Sequence, residues 1–222
     1  MNKFKLILRS LNHYRSANFT IILGVAVSAM VLTGTLIVGD SVDHSLAMTA
    51  ELRLGNIGYS FSGTDRYFRK DLAENVKDEL NIPVASMIQV KGIASAQGGA
   101  LKVNNIDVQG IDDNFLAMVP ENQLEETPGR NEAFISRNLA DRLELKIDDS
   151  FLLRVDKVSL IPKNAPFISD DENQVSLRLT VSKILDKEKL GRFNLKTSQT
   201  APFNVFLSLE YLNNRMETEG KA

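Results

Sequence analysis

The sequence predicts an α+β protein with one long N-terminal transmembrane helix that continues into an extracytoplasmic domain made of an α/β lobe and a smaller, mostly-β lobe. Three observations predict it. Residues 16–39 form a run of 24 without a charge. The chain before that run is basic. Beyond residue 84, apolar residues recur with the two-residue period of half-buried strands.

The apolar run decides the anchor. At 1.5 Å per residue, 24 residues span about 36 Å, enough to cross a hydrocarbon core of roughly 30 Å. Its central part, residues 19–39 (FTIILGVAVSAMVLTGTLIVG), has no polar face, whereas a buried core helix is normally shorter and shows one. The apolar core of a cleaved signal peptide spans only about 7 to 15 residues, so the small residues Ala47 and Ala50 do not mark a cleavage site here.

Lys3, Lys5, Arg9 and Arg15 precede the run with no acid among them, and Asp40 and Asp43 follow it. Removing those four from the 26 basic residues leaves 22 against 28 acidic ones downstream. Basic flanks stay in the cytoplasm, so the N-terminus is read as inside and the mildly acidic remainder as outside. Such a surface does not attract nucleic acid. Residues 4–14 (FKLILRSLNHY) interleave Phe4, Leu6, Ile7, Leu8, Leu11 and Tyr14 with Lys5 and Arg9, as an interfacial amphipathic helix in contact with lipid or a cytoplasmic partner would. The resulting division is 1–18 cytoplasmic, 19–39 membrane and 40–222 extracytoplasmic, with lobes at about 55–145 and about 146–212.

Within the span, Gly24 and Ser28 have the spacing of small residues that lets a second helix approach, and Thr35 falls on the same face. Helix is expected to continue through residues 40–54, where Val42, Leu46, Ala50 and Leu54 recur every fourth position, and to break at Gly55. Residues 57–61 read as a short strand and 65–80 as a helix with Phe68, Leu72, Val76 and Leu80 on one face.

Strands follow at 86–95, 100–103 and 106–111, with Gly98-Gly99 and Asn104-Asn105 as turns, a β-meander. Residues 132–135 read as a strand and 136–143 as a helix capped by Ser136, with Leu139, Ala140 and Leu143 facing inward. Three more strands, 151–160, 174–185 and 202–209, are expected, with a proline- and acid-rich loop at 162–173.

Several kinds of chemistry have no foundation in the chain. Without cysteine there are no disulfides, thiolate ligands or cysteine nucleophiles. No phosphate-binding loop is present, so any ATPase is a separate polypeptide. His13 and His44 fall on opposite sides of the membrane by this topology, and the acidic pairs Asp112-Asp113 and Asp148-Asp149 and the run Asp170-Asp171-Glu172 lack calcium-loop spacing and read as turns. Ser136 has no nucleophile elbow around it. The chain is therefore read as a non-enzyme without metal or cofactor.

In order, these elements resemble the N-terminal part of FtsX-type ABC transporter permeases, the group containing MacB and the lipoprotein-releasing LolC and LolE. The residues that carry the resemblance are the basic start, the span ending Gly39-Asp40-Ser41-Val42, the segment Val108-Gln109-Gly110-Ile111-Asp112 with Phe115, and Phe134-Ile135-Ser136-Arg137-Asn138-Leu139-Ala140 with Leu143. Where the family has a Gly-Asp turn after that helix, this chain has Asp148-Asp149.

The resemblance implies a porter-like α/β lobe and a small Sabre-like β-lobe. It also implies a permease subunit that transmits the motion of a separate cytoplasmic ABC ATPase, pairs with a second permease copy or paralogue, and meets a periplasmic partner. Family members carry three further membrane helices near the C-terminus; no second long apolar run follows Gly39 here, so the sequence reads as the N-terminal part of such a permease or a truncated product. From the residues alone, a single-pass sensor or adaptor module stays open.

Overall fold

The computed structural model describes residues 3–63, 67–69, 71–119, 124, 126–156, 174–187, 189–195 and 200–218. The chain divides into two units, Met1–Thr49 and Ala50–Ala222. The expected loop at 162–173 lies outside the described residues.

The first unit is helical. Helix α1 covers Lys3–His13 and helix α2 covers Arg15–Leu54, so the membrane span and its extension form one element of 40 residues, as the unbroken four-residue recurrence predicts. The helix stops where expected. Gly55 takes a left-handed conformation (φ 58°) and donates its N–H to the Glu51 carbonyl at 2.9 Å, the arrangement glycine terminates most easily.

In the second unit six strands close into a barrel, in the order β1-β2-β6-β3-β5-β4: β1 Ile88–Ala96, β2 Leu101–Ile111, β3 Glu132–Ser136, β4 Ser150–Asp156, β5 Gln174–Leu185 and β6 Asn204–Ser208. Pairing is antiparallel except for β2 with β6 and β3 with β5, which run parallel. Residues 57–61 are not the strand the sequence suggests: Ile57 packs on the second core while Tyr59 and Phe61 stay exposed.

The barrel also revises the lobes. β1–β3 come from the expected α/β lobe and β4–β6 from the expected β-lobe, yet all six share one sheet, with β4 paired to β1 and β5 to β3. No separate meander forms either. Asn104 and Asn105 are not a hairpin turn but a bulge within a continuous β2, where the register steps from Gly92–Ile106 to Ala94–Val103. Two residues oppose one there, and Asn105 takes the left-handed conformation (φ 58°) that asparagine tolerates, so the Asn-Asn pair serves a bulge as well as a turn.

Helix α3 covers Asp71–Leu80; of the expected helix at 65–80, residues 65, 66 and 70 lie outside the described residues, Tyr67 packs on the main core, and Phe68 lies against Phe61, ring centres 5.0 Å apart. Helix α4 (Asp113–Met118) was not expected; Asp112 caps it, accepting the Phe115 N–H at 2.9 Å. Helix α5 (Arg137–Leu143) buries Leu139, Ala140 and Leu143 as predicted. The expected strand 202–209 ends at Ser208, and helix α6 (Leu209–Met216) follows, burying Leu209, Leu212 and Met216 at helical spacing.

Alternation separates two cores. Ala133 and Ile135 of β3 and Val205 and Leu207 of β6 join the main core, which fills the barrel and continues under α5 and α6. Phe134 and Phe206 point the other way, into a second cluster with Ile111, Phe115, Leu185, Leu190 and Phe193. Both faces of this part of the sheet are covered, so its strands read as continuous apolar runs.

Two glycines make the packing possible. At Gly110 a Cβ would stand 3.1–3.3 Å from Leu209 and Leu212, so its absence lets α6 lie against β2. At buried Gly92, beside the bulge, a Cβ would meet the Arg154 carbonyl at 2.8 Å and Val108 at 3.0 Å, and the backbone contact cannot swing away. Gly92→Ala is expected to destabilise the barrel by about 1–3 kcal/mol. Urea unfolding followed by circular dichroism checks this; an unchanged midpoint would contradict the packing described.

Candidate functional site

The chain's distinctive surface is α2 itself. Along residues 19–38 large apolar side chains such as Phe19, Ile22, Leu23, Leu32, Leu36 and Ile37 are all exposed, and nothing in the apolar window of Arg15–Glu51 is buried. At about 1.5–3 kcal/mol for each large apolar side chain kept in water, roughly a dozen of them make an aqueous location untenable. Lipid removes that cost.

Lipid, in turn, requires every polar group to find a partner within the protein. The threonine hydroxyls of the span do so locally: Thr20 donates to the Ser16 carbonyl at 3.0 Å, Thr35 to Val31 at 2.7 Å, and Thr33 to Ala29. Gly24, Ser28 and Thr35 lie within one narrow stripe of this helix, and the space a Cβ would occupy at Gly24 is open. At the other end of the span, Asn18 donates its side-chain N–H to the Leu11 carbonyl at 3.3 Å, clipping α1 to the start of α2 across Tyr14.

Beyond residue 50 the helix end is seated on the barrel domain. The Arg53 carbonyl accepts the N–H of Asn194 at 3.4 Å, and Ile57 packs against the second core. Phe193, the neighbour of Asn194, is fully buried between Phe115 (ring centres 5.5 Å apart, edge to face) and Phe206 (6.1 Å). Such aromatic pairs favour fixed relative orientations, so the loop carrying Asn194 is held by a side chain with little freedom.

A buried amide holds the same loop from below. Asn204, at the first position of β6, donates its side-chain N–H to the Phe193 carbonyl at 2.9 Å and to the Gly191 carbonyl at 3.4 Å. Its oxygen accepts from Gln109 of β2 at 3.4 Å, and its backbone N–H donates to the Ser136 hydroxyl at 3.0 Å. Asn204, Gln109 and Ser136 are completely buried. Ser136 therefore corrects its expected role: it occupies the position before α5, but its side chain makes no capping bond and instead fixes β6. The sequence signal for this network was Gln109 within the apolar stretch 108–111 and Asn204 directly before the apolar residues 205–207, where an unpartnered amide would be costly.

The other residues of interest serve the backbone. Asp112 caps α4, and Asp149 accepts the Lys146 N–H at 2.7 Å in the turn after α5, whose Asp148 has φ 71°. A cavity of about 300 Å³ between α3 and the start of α4 is lined by Glu74, Lys77, Asp78, Ser86 and Asp112 among others.

The family described as MacB-like periplasmic core domain matches residues 19–221. Among solved structures 15 chains match. One is the crystal structure of the periplasmic region of MacB from Actinobacillus actinomycetemcomitans, 8% identical, with a TM-score of 0.40, over 77% of this chain and 73% of that chain. No curated protein matches.

If Asn204 holds the helix seat, Asn204→Ala leaves the Gly191 and Phe193 carbonyls without their donor and is expected to cost about 1–3 kcal/mol. Amide hydrogen exchange should then accelerate in 189–195 more than in β1 or β4. Uniform acceleration across the barrel would contradict a local role.

Proposed function

Since this chain belongs to the MacB-like periplasmic core domain family, we propose that it is the membrane-anchored N-terminal part of an ABC-type permease that exports substrate or extracts lipoprotein or lipid. In this reading residues 1–18 lie in the cytoplasm, 19–39 cross the inner membrane and 40–222 lie in the periplasm. It performs no chemistry of its own. A separate cytoplasmic ABC ATPase supplies the energy, a second permease copy or paralogue completes the transporter, and Gly24, Ser28 and Thr35 offer the face on which other membrane helices pack.

The observation that carries the reading is that α2 is one helix from Arg15 to Leu54, with Arg53 bonded to the loop that Phe193 and Asn204 hold. A membrane helix that ended at residue 39 in a flexible tether would dissipate any tilt or shift imposed from the cytoplasm. A continuous one supports transmission of such a shift to the strands β2, β3 and β6, which meet at Asn204.

Two coupled experiments test this. Purification of the tagged protein from its native membrane should recover a stoichiometric ABC ATPase, and adding ATP to that complex should change hydrogen exchange in 189–195. Ala47→Pro breaks the helix outside the span, at about 3 kcal/mol in a helix interior, and should abolish the ATP response while leaving the ATPase bound. Repeated absence of an ATPase would sink the proposal in favour of a single-pass sensor or adaptor; an unchanged response in the proline variant would sink the lever alone.

A further inference from the structure

We propose that α1 is a docking element for anionic phospholipid headgroups, which fixes the depth of the cytoplasmic end of α2. The inference rests on the reading of α2 as a membrane span and adds a ligand to it.

Three observations carry it. First, Ile7, Leu11 and Tyr14 form a stripe at helical spacing and are each more than half exposed, so nothing among the described residues covers them. Second, Lys5 and Arg9 lie one turn apart away from that stripe, and Lys3 and Arg15 flank them, with no carboxylate before Asp40. A helix with an apolar stripe and an unneutralised basic face matches a surface that is apolar below and negatively charged above. Third, α1 is continuous with the membrane segment. Only Tyr14 separates it from α2, and the Tyr14 N–H to Ser10 carbonyl bond (3.0 Å), the Asn18 N–H to Tyr14 carbonyl bond (2.9 Å) and the Asn18 side chain on Leu11 keep the junction closed. The surface nearest to α1 is therefore the one that α2 enters.

Charge complementarity selects the headgroup. A neutral bilayer would satisfy the apolar stripe alone and leave four cations without counter-charge, whereas an anionic surface attracts each of them within a screening length of about 8 Å at physiological salt. The prediction is then a binding equilibrium of α1 that depends on lipid charge, while membrane retention through α2 does not.

The sequence has no tryptophan, so the full chain with Tyr14→Trp carries a single reporter at the edge of the stripe. It is reconstituted in phosphatidylcholine vesicles containing graded phosphatidylglycerol. Every variant should float with the vesicles. The tryptophan emission should shift to the blue, and be quenched by brominated acyl chains, as the anionic fraction rises. Adding Lys5→Gln and Arg9→Gln should weaken docking roughly fivefold per residue, about 25-fold together, at low salt, and high salt should do the same to the parent. Emission that is the same in neutral and anionic vesicles, or unchanged by the double substitution, would overturn the inference and leave an acidic protein groove as the occupant. Failure to float would instead remove the span reading and this inference with it.

Discussion

Asn204 brings both its amide groups and its backbone N–H to a place closed to water, and each has a partner on a different part of the chain: the loop at 191–193, β2 through Gln109, and the start of α5 through Ser136. A buried amide with unmet bonds is costly, and this placement of the three segments satisfies Asn204. The Phe115–Phe193–Phe206 stack fixes the same loop on its apolar side. Between them they define where Asn194 presents its N–H, and hence where the end of α2 is received.

The two units answer the same requirement in different solvents. In lipid, a helix satisfies its backbone internally and its Thr hydroxyls fold back onto carbonyls one turn earlier. In water, a barrel satisfies its strands by closing on itself. The hydroxyl pattern persists past the apolar run, with Ser45 on Ser41 and Thr49 on Ser45, both at 2.8 Å. The helix continues past the apolar run to Leu54 without a break.

Much of this was legible in the residues. The uncharged run and the four-residue recurrence predicted one helix reaching Leu54, and the strict alternation of β5 placed its ends correctly at Gln174 and Leu185. The misreadings share a cause: local signals that tertiary context reuses. Asn104-Asn105 suits a hairpin and equally a bulge, and in the pairing of β1 with β2 the two residues lie opposite the single Ile93. The apolar run through Leu209 hides the change from strand to helix, because both faces of β6 are buried and alternation disappears just where Leu209, Leu212 and Met216 take up helical spacing. The Asn204 network was visible only as polar residues in the wrong place; its partners lie as far as 95 positions away.

The most direct test of the central claim, a single helix carrying a cytoplasmic start to an external barrel, uses the absence of cysteine. Single cysteines at exposed Ser10 and Ser150 are treated in intact cells, with the outer barrier opened, using a maleimide that cannot cross the inner membrane. The account predicts labelling at position 150 at once and at position 10 only after the inner membrane is permeabilised. Immediate labelling at both, or at position 10 alone, would contradict it.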